Sequence, residues 1–184
     1  DEPIDQLRTP NNLVPAQYTW FPNGEFKTEI LSSVRNTDVY VVQDVSNSCP
    51  LSFPRTDKPQ VLSVNDHIMC LLVTVDAAMQ AGALSVTVVL PTYPYSRQHK
   101  KKGRESLSAA RIGQILEFFG VARIVTLDLH SREIENTFNH LRVENLHGAD
   151  QIIKMLDGVV DLKDEKLVVV SPGTGAVERN KFYA

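Results

Sequence analysis

The 184-residue chain is poor in cysteine. It has two, Cys49 and Cys70, and they do not fall at metal-ligand spacing, so free thiols in a reducing cytoplasm are the plain reading. No stretch approaches ~18 consecutive apolar residues, which excludes a membrane-spanning helix. The opening residues, DEPIDQLRTP, are acidic and polar and do not read as a signal peptide. Nor is there an excess of positive charge. The formal net charge is −3, which argues against a broad nucleic-acid-binding face but leaves room for a small phosphorylated ligand held in one positive pocket. The phosphate-binding pattern G-x-x-x-x-G-K-[ST] and the dinucleotide pattern G-x-G-x-x-G are both absent. The same holds for the hydrolase signatures G-x-S-x-G and H-E-x-x-H, for internal repeats and for low-complexity tracts.

What is present is enough apolar residue, 42%, for one medium domain, or a domain and a fragment of another. Pro3, Pro10 and Pro15 make residues 1–17 irregular. Asn23-Gly24 is a turn signal, because both residues tolerate positive φ. Its flanks, Tyr18–Phe21 and Phe26–Ile30, are either hairpin arms or simply the approach to a turn. Asp38–Gln43 is β-branched and aromatic and predicts a strand. Ser46–Gln60, with three prolines, predicts a surface loop or insertion. From Asn65 the period lengthens: Ile68, Leu71, Leu72, Val75, Ala78 and Met79 predict a helix with one buried face, capped by Ser63 or Asn65 and ended by Gly82. His67 is expected on its solvent side. Ser85–Leu90 is a continuous apolar run, as in a strand buried on both faces. Ser106–Phe119 predicts a helix stopped by Gly120, and Arg123–Leu127 a strand. Shorter elements follow at Ile134–Phe138 (helix), Leu141–Val143 (extended), Ala149–Leu156 (helix) and Leu167–Val170 (strand). Strands alternating with helices imply an α/β fold, a mostly parallel twisted sheet with helices on both faces.

In such a sheet, ligands bind beyond the carboxyl ends of the strands. Three predicted strands run into chemically suggestive sequence. The first enters Pro91–Arg104, where Arg97, Lys100, Lys101, Lys102 and Arg104 crowd into eight residues that would hold about 0.8 cations at the chain's average density. Such a loop suits phosphate oxygens, and Arg97 can contact two of them at once; taken alone, the run also fits an ordinary solvated surface. The second ends in Asp128-Leu129-His130. On an extended backbone the carboxylate and imidazole at i and i+2 share a side and could hold a divalent cation, or simply hydrogen-bond each other at a strand end. The third ends in the small residues Ser171–Ala176, whose backbone N–H groups suit an anion or an ordinary strand-to-helix turn.

With these residues in place, the chain resembles the ribose-phosphate pyrophosphokinases. The resemblance covers most of residues 21 to 184 and rests on Phe21-Pro22-Asn23-Gly24-Glu25, Tyr93-Pro94-Tyr95-Ser96-Arg97-Gln98, Lys100-Lys101, Asp128-Leu129-His130, Glu144-Asn145-Leu146 and Ser171-Pro172. It implies a type I phosphoribosyltransferase-like fold, with residues 1–184 as an amino-terminal domain and the family's second domain lying outside them. It implies transfer of diphosphate from MgATP to the C1 hydroxyl of ribose 5-phosphate, in a cytoplasmic homo-oligomer built from dimers, commonly a hexamer. By the same resemblance Arg97, Gln98 and Lys100 contact ATP, His130 holds its Mg²⁺ with Asp128 in support, and Phe21, Asn23 and Glu25 read adenine from a neighbouring subunit. No catalytic residue is expected in this chain, because the family's catalytic and ribose-phosphate-binding loops belong to the second domain, and the chain alone is expected to be inactive.

Four departures stand out. Gly173 occupies a position where the family has an acid. His99 and Lys102 make the loop more basic than usual. Arg132 and Glu135 replace polar residues of the family's regulatory phosphate site. The Ser46–Gln60 stretch is longer than usual. A non-catalytic regulatory homologue is therefore a competing expectation. A nucleobase phosphoribosyltransferase ranks last, because the run of two acids followed by small and hydroxyl residues that it needs is missing.

Overall fold

The computed structural model describes residues 13–176 except 55 and 57. They divide into two compact units, with the boundary between Asn145 and Leu146.

The first unit starts with a hairpin, β1 (Ala16–Trp20) and β2 (Phe26–Ile30), paired antiparallel from Ala16↔Ile30 to Trp20↔Phe26. The hairpin alternative is thus realised. β1 begins beside Pro15, which needs no ladder donor there and whose carbonyl accepts from Leu31 N–H at 2.9 Å. At the tip Gly24 takes φ +89° while Asn23 is not left-handed, so the turn is not of the doubly left-handed kind. Gly24 N–H closes onto the Phe21 carbonyl and Phe21 N–H onto the Glu25 carbonyl, each at 2.9 Å, as in a type I turn followed by a glycine bulge.

A four-stranded sheet follows in the order β3 (Asp38–Val42), β4 (Ser85–Leu90), β5 (Val121–Leu127), β6 (Arg142–Leu146), with β3, β4 and β5 parallel. Between β3 and β4 lies α1 (Val64–Gln80), and between β4 and β5 lies α2 (Ser108–Phe118). α1 opens with a reciprocal capping box: Ser63 Oγ accepts from Asp66 N–H, and the Asp66 carboxylate accepts from Ser63 N–H. The cap holds the Asp66 carboxyl below its usual range, chiefly through the Ser63 hydroxyl. Gly82 and Gly120 follow the two helices with φ +86° and +88°, the left-handed exit a Cβ would resist.

The apolar row of α1 (Ile68, Leu71, Leu72, Val75, Ala78) and Ala109 and Leu116 of α2 bury against Val86, Val88, Leu90 and Ile124. Both crossovers step one strand in the same direction, so right-handed connections put α1 and α2 on one face, where the sequence pattern implied helices on both. On the strand at the sheet's margin, Tyr40 and Val42 stay 65% and 69% exposed.

His67 departs from expectation. It is 2% exposed, not solvent-facing. Its Nε2 donates to the Asn47 carbonyl at 3.0 Å, so Nδ1 is left to accept from Gln43 Nε2 at 3.1 Å. A row of apolar neighbours cannot reveal that a polar side chain has partners waiting in a loop twenty residues away.

The segment predicted as a short helix at Ile134–Phe138 is a 3-10 turn over Arg132–Asn136, capped by Ser131. In the second unit α3 (Ala149–Asp157) forms as predicted but buries no side chain. The strand predicted at Leu167–Val170 is not formed: the segment has no ladder partner among the described residues, and Val168 and Val170 are 75% and 77% exposed. An apolar run becomes a strand only where a neighbouring edge takes up its N–H and C=O groups.

Candidate functional site

The basic loop leaves β4 under tight control. Tyr93 is 3% exposed and donates its hydroxyl to the Ala109 carbonyl of α2 at 2.8 Å; burial pushes its ionisation well above the ordinary tyrosine range. Tyr95 has φ +57°, an uncommon conformation for a bulky residue. It is held there from two sides: its hydroxyl bonds Asn65 Oδ1 at the start of α1, and its carbonyl accepts from Gln98 N–H at 2.8 Å. That turn presents Arg97 and Gln98 outward, both exposed. The tyrosines therefore both pack and support the loop.

A cleft of about 670 Å³ opens along the loop, lined by Arg97, Gln98, His99, Lys100, Lys102, Glu105, Ser106 and His130. Arg97 and His130, thirty-three positions apart in sequence, thus face one hollow. His99 fixes its own ring by donating Nδ1–H to the Ser96 carbonyl at 3.1 Å, and its edge meets His130 with centroids 5.3 Å apart. Lys100 pairs with Glu133 at 3.1 Å; among the described residues Arg97, Lys101, Lys102 and Arg104 have no ionic partner. Arg97 and Gln98 also border a second, less charged cleft of about 620 Å³ with Val45, Asn65 and Tyr95.

The tip of β5 corrects one expectation. The strand ends at Leu127, and Asp128 has φ +48°. The backbone is not extended there, so Asp128 and His130 do not share a side by strand alternation, and Asp128 does not line the cleft. Aspartate tolerates this left-handed bend better than most residues. The bend is stabilised by Asn145, which spacing alone did not single out for a role. Its Oδ1 accepts from Leu129 N–H at 3.0 Å while its Nδ2 donates to Glu135 at 3.2 Å, tying the strand tip to the 3-10 turn.

Among the described residues no three His, Cys, Asp or Glu side chains gather into a metal cage. A magnesium ion arriving on a triphosphate does not need one, since it keeps few protein ligands and fills its shell with phosphate oxygens and water. His130, exposed at the cleft, fits that limited role.

The hairpin residues Phe21, Asn23 and Glu25 do not line this cleft. They sit together on the β1–β2 tip, where Asn23 Oδ1 accepts from Glu25 N–H at 3.2 Å and Phe21 is 39% exposed. Ser171–Gly173 belongs to the second unit and enters a three-residue 3-10 turn, Thr174–Ala176. The helix expected to continue from it lies outside the described residues.

Comparison with known proteins places the chain in a family. Residues 5–120 match the family described as the N-terminal domain of ribose phosphate pyrophosphokinase. Ribose-phosphate pyrophosphokinase B of Dictyostelium discoideum is 36% identical over 164 residues, covering 88% of this chain and 45% of its own. A ribose-phosphate pyrophosphokinase of Prochlorococcus marinus is 34% identical over 172 residues, covering 93% and 46%. The crystal structure of phosphoribosylpyrophosphate synthetase from Mycobacterium smegmatis superposes with a TM-score of 0.78 at 30% identity, over 98% of this chain and 54% of that one. The chain spans about half the length of the curated relatives it matches. The parallel sheet with its flanking helices has the type I phosphoribosyltransferase-like fold, and the chain belongs to the ribose-phosphate pyrophosphokinase family.

Proposed function

We propose that the intact protein is a ribose-phosphate diphosphokinase, and that this chain supplies the ATP side of its active site. The reaction would move the diphosphate of ATP to the C1 hydroxyl of ribose 5-phosphate and release AMP. The observation that carries this reading is the convergence of Arg97, Gln98, Lys100 and His130 on one basic cleft at the carboxyl ends of β4 and β5. In such a transfer the C1 oxygen bonds to the β-phosphorus, the bond from that phosphorus to the α-bridging oxygen breaks, and negative charge grows on the departing and equatorial oxygens. Arg97 can meet two of those oxygens with one guanidinium, and the lysines add point charges. His130 would hold the nucleotide's Mg²⁺, which neutralises phosphate charge when bound. Phe21, Asn23 and Glu25 would read the base in a neighbouring subunit of a dimer-based homo-oligomer. Catalytic and ribose-phosphate-binding groups would come from outside this chain, so the 184 residues alone would not turn over. An ATP-using enzyme with two unpaired thiols suits the cytoplasm.

ATP binding measured by calorimetry is expected to require Mg²⁺ and to weaken about ten- to a hundredfold in Arg97→Ala, the loss of a charge-assisted hydrogen bond. Tight binding that ignores the substitution would remove the cleft from the reading.

A second reading, a non-catalytic subunit assembling with active ones, is favoured by Gly173. The resemblance puts an acid there, and a Cβ at this glycine would meet nothing within 4 Å. The acid is therefore missing from a place with room for it.

A further inference from the structure

We propose that the Ser46–Gln60 segment is a brace that sets the hairpin tip, with Phe53 as its positioning residue; this rests on the reading above, in which Phe21, Asn23 and Glu25 engage the nucleotide.

The segment is a built element. At its root, Val45 is 2% exposed and the Asn47 carbonyl is held by the buried His67 of α1 at 3.0 Å. At its base, Leu51 and Gln60 exchange both backbone hydrogen bonds at 2.8 Å, an isolated antiparallel bridge. At its turn, the Phe53 carbonyl accepts from Thr56 twice, from N–H at 3.2 Å and from the hydroxyl at 2.8 Å. These bonds present the Phe53 ring from a closed loop.

That ring lands on the root of the tip. Trp20 and Phe26 are the last ladder pair before residues 21–25, and their rings meet edge-on at 4.4 Å. Phe53 stacks on Trp20 at 5.8 Å with an interplanar angle of 29° and meets Phe26 edge-on at 5.9 Å. Further down, the hairpin is held by α1 itself: Thr28 and Thr74 share a hydroxyl contact at 3.2 Å, and Tyr18 is buried enough to raise its ionisation above the usual range. The middle of the ladder and the tip are thus anchored separately, the first by the helix and the second by the brace. A two-stranded ribbon is marginal alone, so the tip's rigidity depends on such support. A tip held in its binding conformation avoids the ordering cost when a nucleotide arrives.

The test is steady-state kinetics of the full-length, assembled protein, with Trp20, the sole tryptophan of this chain, as a local probe in the 184-residue chain. Phe53→Ala is expected to raise the KM for ATP about tenfold. The KM for ribose 5-phosphate and kcat should stay within about twofold. Acrylamide should then quench Trp20 more readily. Phe53→Leu, which refills the space, should recover most of the ATP affinity, and it carries the comparison if the alanine variant does not fold. Phe21→Ala serves as the control. If it raises the KM for ATP while neither Phe53 variant does, the brace is overturned and the reading of the tip stands. If Phe21→Ala leaves that KM unchanged, the tip does not engage the nucleotide and the underlying reading falls with it. A parallel loss in kcat and both KM values in the leucine variant overturns a positioning role.

Discussion

Gly113 sits in α2 where two aromatic side chains press against the helix. A Cβ there would lie 2.1 and 2.3 Å from Phe138 ring carbons and 2.8 Å from the Tyr93 hydroxyl. Alanine would gain about 1 kcal/mol of helix propensity. It would also overpack a site whose occupants are themselves committed, at a cost of about 1–3 kcal/mol. Gly113→Ala is therefore expected to lower the denaturant midpoint, and because Tyr93 anchors the basic loop to Ala109, to loosen that loop as well. The two cysteines show the same dependence on surroundings. Cys49 is exposed, whereas Cys70 faces the core from α1 and burial pushes its thiol up to about 11. Spacing excluded a metal site for both but could not separate an accessible thiol from a buried one.

At the scale of elements, α2 is joined to the approach of β6 by Glu117. Its carboxylate accepts from the backbone N–H groups of Asn139, His140 and Leu141, and these bonds, His140 first, hold its ionisation below the usual carboxylate range. A carboxyl depressed in the folded state stabilises fully above its unfolded value, and the contribution is lost as pH falls through the folded one. The stability difference between wild type and Glu117→Ala is thus expected to be open at neutral pH and to close below about pH 4, as read from urea midpoints across a pH series. Helix boundaries were largely legible in sequence because caps and glycines are local: Ser63, Gly82 and Gly120 all act within one turn of their helix. The Leu167–Val170 run and the bend at Asp128 were not. A strand needs a partner edge, and the bend is tied down by Asn145 from seventeen residues away.

For the molecule as a whole, the described residues divide unevenly. The first unit carries the packed sheet, the helices and the basic cleft; the second buries no side chain of α3 and holds Gly173. The choice between an enzyme and a regulatory homologue turns on that glycine. In full-length protein, Gly173→Asp is expected to change turnover by no more than about threefold if the diphosphokinase reading holds; a large gain from a nearly inactive parent, followed by product formation from ATP and ribose 5-phosphate, would mark a degenerate subunit instead.

The alternation of strands and helices, the helix ends and the dense run of cations after β4 can be read directly from the residues, because each depends on periodicity, capping or composition within a few positions. It took the folded chain to reveal that Arg97 and His130 share a hollow, that His67 is buried and doubly bonded, and that Phe53 closes onto Trp20 and Phe26. Those contacts join residues tens of positions apart, and their geometry is set by strand order and loop closure, which no local pattern encodes.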